Sequence, residues 1–210
     1  LTDNFNAPYK AASITEFWRR WHISLSTWLR DYLYISLGGN RCSKIKRYFN
    51  LMVTMLLGGL WHGASWKYVF WGGMHGVFLV IEKFFNIPEK IAGNKLLRLA
   101  GIIITFHLIS FCWIFFRAES FSTAIEVLDQ IFNYFHPEVL SQFAEGYTTV
   151  LILMVIGLFF HFTPEKIENK ISTLFSKVNL FTLSLILTIV IWLVIQFKSA
   201  DIQPFIYFQF

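Results

Sequence analysis

Five stretches without a charged residue, Tyr48–Trp66, Tyr68–Ile81, Leu99–Phe116, Tyr147–Phe162 and Val178–Phe197, constrain this chain more than any other feature. A bilayer core of about 30 Å takes roughly 20 apolar residues in a helix, and unpaired backbone does not survive in lipid. The second and fourth runs are the shortest. Together they predict an all-α, polytopic membrane protein with about five transmembrane helices, at 48–66, 68–85, 99–116, 147–162 and 178–197, in a single membrane domain over 1–210. Composition agrees: 55% of residues are hydrophobic and only 15% charged, against about 25% charged in soluble domains.

The net charge of +5 does not form a nucleic-acid-binding face, because the cations sit between the apolar runs. Successive connections carry four, one, four, one, three and one Lys or Arg, the alternation expected when basic loops stay in the cytoplasm. This predicts a multi-pass topology with the Arg41 loop cytoplasmic and Phe210 outside, and membrane lipid, not nucleic acid, as the surrounding partner. The opening LTDNFNAPYKAA is polar, has no initiator Met and lacks the pattern of a signal peptide, so the sequence reads as a fragment or a processed chain. Cys42 and Cys112 form no disulfide framework and have no second Cys at metal-ligand spacing, so no metal site is expected.

Within the first run, GLWHGASW (Gly59 to Trp66) places His62 where an ionisable side chain is costly and therefore suggests a site. Its neighbours are very small (Gly58, Gly59, Gly63, Ala64, Ser65) or very large (Trp61, Trp66), which on a helix makes a notch with aromatic walls. The competing explanation is close helix packing through the small residues. His75, among Gly72, Gly73 and Gly76, repeats the texture and reads as a packing histidine. Only Lys67 separates the two runs, which fits a tight hairpin or one long broken helix equally well.

Upstream, SITE (Ser13 to Glu16) has capping-box spacing and predicts a helix start. Trp18, Trp21, His22, Leu25, Trp28, Leu29, Tyr32 and Leu33 then recur every three or four residues, with Arg19, Arg20, Ser24 and Arg30 opposite. This predicts an amphipathic or re-entrant helix over 13–37, stopped by Gly38, Gly39 and Asn40. Glu82–Arg98 reads as a cytoplasmic loop, and Ser120 begins a second amphipathic helix running to Phe135. His107, His136 and His161 read as structural.

Three stretches, FWRRWHISLSTWLRDYLYISLGGNR (Phe17 to Arg41), GLWHGASWKYVFWGGMHG (Gly59 to Gly76) and WIFFRAESFSTA (Trp113 to Ala124), resemble the membrane-bound O-acyltransferase family, most closely its bacterial alginate O-acetyltransferase branch. One departure is Ser36, which stands where the branch has Pro before LGGN. The resemblance implies part of that fold, the C-terminal half of a longer protein whose missing N-terminal half completes the membrane tunnel, so the fragment alone is expected to be inactive. It also implies a bacterial inner-membrane location and transfer of an acetyl group from a cytoplasmic thioester, acetyl-CoA or another, to an extracytoplasmic polysaccharide hydroxyl. A separate extracytoplasmic acetyltransferase partner is expected downstream, and no bound cofactor. By motif, His62 corresponds to the family's catalytic histidine and His22 to the second histidine beside the reaction path.

A neutral imidazole suits general-base work. His62 would take the acceptor proton, and Asn40, Trp61 or backbone amides near the glycines would hold the oxyanion. The candidate substrate-binding residues are Trp61, Asn40, Trp66, Trp18 and Arg19. Two rivals come from other classes: a multi-histidine haem protein, and a small-molecule transporter built on broken glycine-rich helices. The absence of intramembrane carboxylates before Glu82 speaks against the transporter.

Overall fold

A computed structural model describes residues 3–196 of the chain. Every long element among them is helical: α1 Ile14–Trp18, α2 Ile23–Trp28 running on as a π-helix over Leu29–Tyr34, α3 Lys44–Trp61, α4 Trp66–Phe85, α5 Ile87–Ala92, α6 Lys95–Arg117, α7 Phe121–Asn133, α8 Leu140–Gly146, α9 Thr148–His161, α10 Glu165–Phe175 and α11 Leu180–Gln196. Two compact units divide the chain, 1–154 and 155–210. Phe197 of the fifth run, Lys198 and the ending through Phe210 lie outside the described residues, as do Leu1 and Thr2.

In the first unit α3 and α4 form a hairpin, which settles the choice left open by the single Lys67. The two helices touch through backbone: a Cβ on Gly59 would strike the Tyr68 carbonyl, and one on Gly72 would strike the carbonyl of Met55. Small residues here permit the close approach that van der Waals packing in a bilayer exploits. The turn between the helices uses Gly63 at φ 153°, a conformation open to glycine. Ser43 caps α3 by accepting from the Lys46 amide, so the helix starts before Tyr48 and places Lys44, Lys46 and Arg47 in its first turns. It ends at Trp61, five residues short of the expected boundary.

The predicted single helix over 13–37 is broken. α1 lasts five residues, and the chain then turns at His22, whose φ of 44° is left-handed. The residues before α1 hold that turn: the Ile23 amide donates to Asn4 O, and the Ser24 amide and hydroxyl donate to Asn4 Oδ1 at 3.1 and 2.6 Å. No glycine or proline in the sequence marks the break. As expected, Gly38 and Gly39 adopt positive φ, 110° and 52°, and end the segment.

α1 is fastened at its N-terminus from two directions. Ser13 accepts from the Glu16 amide at 3.0 Å, but the Glu16 carboxylate reaches the Ala12 amide at 2.9 Å instead of Ser13. Glu16 also pairs with Arg20 at 2.9 Å and, across to α6, with Arg98 at 3.0 Å. The second fastening is Glu82. Glu82, where the expected 68–85 helix and the expected Glu82–Arg98 loop overlap, is buried in α4 and accepts from the amides of Ile14 (2.5 Å) and Thr15 (2.9 Å) and from the Thr15 hydroxyl (2.8 Å). The rest of the expected loop is largely helical, with α5 opening on Ile87–Pro88 and α6 capped by Asn94. Ala11, Ile14, Phe17 and Ile109 form the core where α1 meets α6.

By length and composition α6, 23 residues, is the one described helix able to cross a bilayer alone; counting each of two sharply bent helix pairs as one span brings the number to three. α3 opens on three cations and α4 contains Lys67, Glu82 and Lys83, which lowers the apolar character of both. In the second unit, the helix from Lys166 to Phe175 and that from Leu180 to Ile195 bend 118° apart. That unit contains an apolar hollow of about 850 Å³ bordered by Val155, Phe159, Ile167 and Ile171.

Candidate active site

His62 follows the last residue of α3 as its C-cap, with its amide donating to Gly59 O at 3.0 Å, so it stands at a helix end and not inside a continuous helix. The side chain is buried. Four aromatic rings enclose the imidazole: Trp61 and Phe116 with centroids 5.0 Å away, Trp71 at 5.2 Å and Tyr68 at 6.3 Å. Three of these contacts, those with Trp61, Trp71 and Phe116, are edge-on, a favoured geometry for aromatic rings.

His22 reaches the same neighbourhood from the α1–α2 turn. Its ring lies 6.4 Å from that of Trp61, the residue that also touches His62. The left-handed backbone at His22 brings its ring to Trp61. Such a conformation is sparsely populated for non-glycine residues and persists where surrounding bonds enforce it. Burial pushes the His22 pKa below the usual imidazole value, so this ring is neutral near pH 7.

The remaining predicted residues separate. Trp18 sends its indole N–H to His75 Nδ1 at 3.3 Å and stands edge-on to Trp71, 5.8 Å between centroids, so it belongs to the same aromatic cluster. Arg19 is exposed and borders two adjoining hollows of about 380 and 780 Å³ that also share Thr15, Tyr34, Leu51 and Leu79. Trp66 is 82% exposed at the start of α4 and forms no wall around His62. Asn40 is not at the site. Its carbonyl accepts from Arg47 and its side chain from Tyr34, at the opposite end of α3, roughly 20 Å along the helix from His62 at 1.5 Å per residue. It cannot hold an oxyanion formed there.

Trp71, Tyr68 and Phe116 were not singled out by sequence, although a signal existed. Tyr68, Trp71, His75 and Glu82 recur at helical spacing and form one buried stripe of α4. The hairpin also changes the relation of the two histidines. On one continuous helix His62 and His75 would stand about 20 Å apart, whereas here Trp71 touches both, its ring 5.2 Å from His62 and 4.7 Å from His75.

A buried histidine enclosed by aromatics, with a second histidine against the same Trp61 ring, puts the two motif histidines in one neighbourhood. The family model for the membrane-bound O-acyltransferase family matches residues 2–86, the segment that carries both histidines. The chain belongs to the membrane-bound O-acyltransferase family. It is similar to the probable alginate O-acetylase AlgI of Pseudomonas putida, 38% identical over 99% of this chain and 46% of that protein. The same-named protein of Pseudomonas aeruginosa is 53% identical over 63% of this chain and 25% of its own length. The peptidoglycan O-acetyltransferase of Helicobacter pylori is 44% identical over 61% of this chain and 24% of its own length. The chain thus spans less than half the length of these curated relatives.

Proposed function

We propose that this chain supplies the histidine centre of a membrane O-acyltransferase that moves an acyl group, acetyl by the names of its relatives, from a thioester donor to a hydroxyl of an extracytoplasmic polysaccharide. The observation that carries the reading is the burial of His62 among Trp61, Tyr68, Trp71 and Phe116, with His22 against the same Trp61 ring. A neutral imidazole in that box accepts the hydroxyl proton as the oxygen attacks the thioester carbonyl, and returns it to the departing thiolate. His22 orients acceptor or donor beside it.

In this reading α3, α4, α6, α9 and α11 are the five membrane helices, with the Arg41 and Lys90 loops cytoplasmic and Ser141 outside, in a bacterial inner membrane. The donor is acetyl-CoA or another cytoplasmic thioester, and a soluble-domain acetyltransferase finishes the modification outside. The remainder of the membrane tunnel comes from sequence that the relatives have beyond the matched region. The test is labelled-acetyl transfer by membranes containing the intact protein, offered alginate, other exopolysaccharides and peptidoglycan in turn. Label in one polymer supports the reading and names the acceptor; label in none, with donor thioester intact, contradicts it.

A further inference from the structure

Among the described residues four buried side-chain nitrogens lack a hydrogen-bond partner, and two of them, Trp71 Nε1 and His75 Nε2, belong to neighbouring rings 4.7 Å apart. Both are hydrogen-bond donors. An indole nitrogen always carries its hydrogen. His75 Nδ1 faces the indole N–H of Trp18 at 3.3 Å; that partner can only donate, so Nδ1 must hold its lone pair and the imidazole hydrogen sits on Nε2. His75 is fully buried and Trp71 is 5% exposed, so water from the bulk does not satisfy either group.

Burying a donor without an acceptor incurs its whole desolvation cost, so each such group in a native protein calls for an explanation, a catalytic role among them. The nearest chemistry is the proposed base: the Trp71 ring stands at 88° to the His62 imidazole, with centroids 5.2 Å apart. We propose that Trp71 Nε1–H and His75 Nε2–H are the oxyanion-binding donors of the acyl transfer, taking the role for which Asn40 is too distant. The inference rests on the reading of His62 as the base.

The electron count is that of ordinary acyl transfer. As the hydroxyl oxygen bonds to the thioester carbon and His62 takes its proton, the carbonyl π pair moves onto oxygen, where the two N–H groups meet it. Collapse restores the C=O bond, breaks the C–S bond, and the thiolate leaves with the proton from His62. Donors fixed in a water-excluded site stabilise that oxygen without reorganising. The indole N–H of Trp18 fixes the His75 tautomer, and with it which ring nitrogen donates.

The test is Trp71→Phe in the intact protein, assayed for labelled-acetyl transfer in membranes, with His62→Ala alongside. A kcat lower by about 10²- to 10³-fold with KM changed only a few-fold is expected from losing one such donor, as is a similar loss for His75→Phe. An N–H with no part in the reaction predicts unchanged kcat in a variant that folds. If Trp71→Phe fails to accumulate, 3-benzothienylalanine at position 71, which keeps the bicyclic shape and lacks the N–H, decides the matter on the same readout. Near-normal kcat in a folded Trp71 variant overturns the inference while loss of transfer in His62→Ala leaves the acyltransferase reading standing. Absence of transfer by the unmodified protein fails that reading, and the inference with it.

Discussion

A carboxylate inside an apolar helix is tolerated only when donors meet it, and Glu82 is met by the amides of Ile14 and Thr15 and the Thr15 hydroxyl. It acts as an N-cap supplied from a different helix, fixing the start of α1 and, four residues on, Trp18 and its bond to His75. Bonds to a charged acceptor contribute about 1.5–3 kcal/mol each. Glu82→Gln, which turns one acceptor oxygen into a donor, is therefore expected to lower unfolding stability by roughly that amount, read as a lower denaturation midpoint of the detergent-solubilised protein. An unchanged midpoint would show that the start of α1 does not depend on Glu82.

At the scale of elements, the α3–α4 hairpin sets the site, because its turn delivers His62 and its second helix delivers Tyr68, Trp71 and His75. Gly72→Ala drives a methyl into the Met55 carbonyl and is expected to cost about 1–3 kcal/mol, the usual range for overpacking. Gly93→Ala, where nothing lies within 4 Å, should stay within about 0.5 kcal/mol; equal effects on the denaturation midpoint would refute the close approach. Glu16 ties α1 to α6 and makes that contact sensitive to acid. Burial alone would raise its pKa, but the Ala12 amide and the guanidiniums of Arg98 and Arg20 outweigh it and hold the carboxyl below the usual range. Its contribution is therefore complete above the unfolded carboxylate pKa of about 4.3 and fades as pH falls towards the lower folded value. Glu16→Gln should flatten that acid limb of the stability curve, and an identical limb in both proteins would contradict the assignment. Much of this level was legible in the sequence: the apolar runs, the caps at Ser13 and Ser120, and the glycine stop at Gly38–Gly39 all follow from local chemistry. The break at His22, the cap by Glu82 and the distance of Asn40 from His62 were not, because each depends on contacts between residues far apart in the chain.

For the molecule as a whole, family membership agrees with the motif reading, and the first unit alone assembles His22, His62, Trp71 and His75 around α3 and α4. The helices took different bounds from the uncharged runs because charged residues such as Lys44, Lys46, Arg47 and Glu82 are helical here. The account stands on one imidazole acting as a base within a ring of aromatics. The direct measurement is the rate of labelled-acetyl transfer from thioester to polysaccharide by the intact protein with His62→Ala, at matched membrane abundance and thermal stability. General-base catalysis is worth about 10²- to 10⁴-fold, so the variant should lose at least 100-fold, whereas transfer at near the original rate would contradict the account.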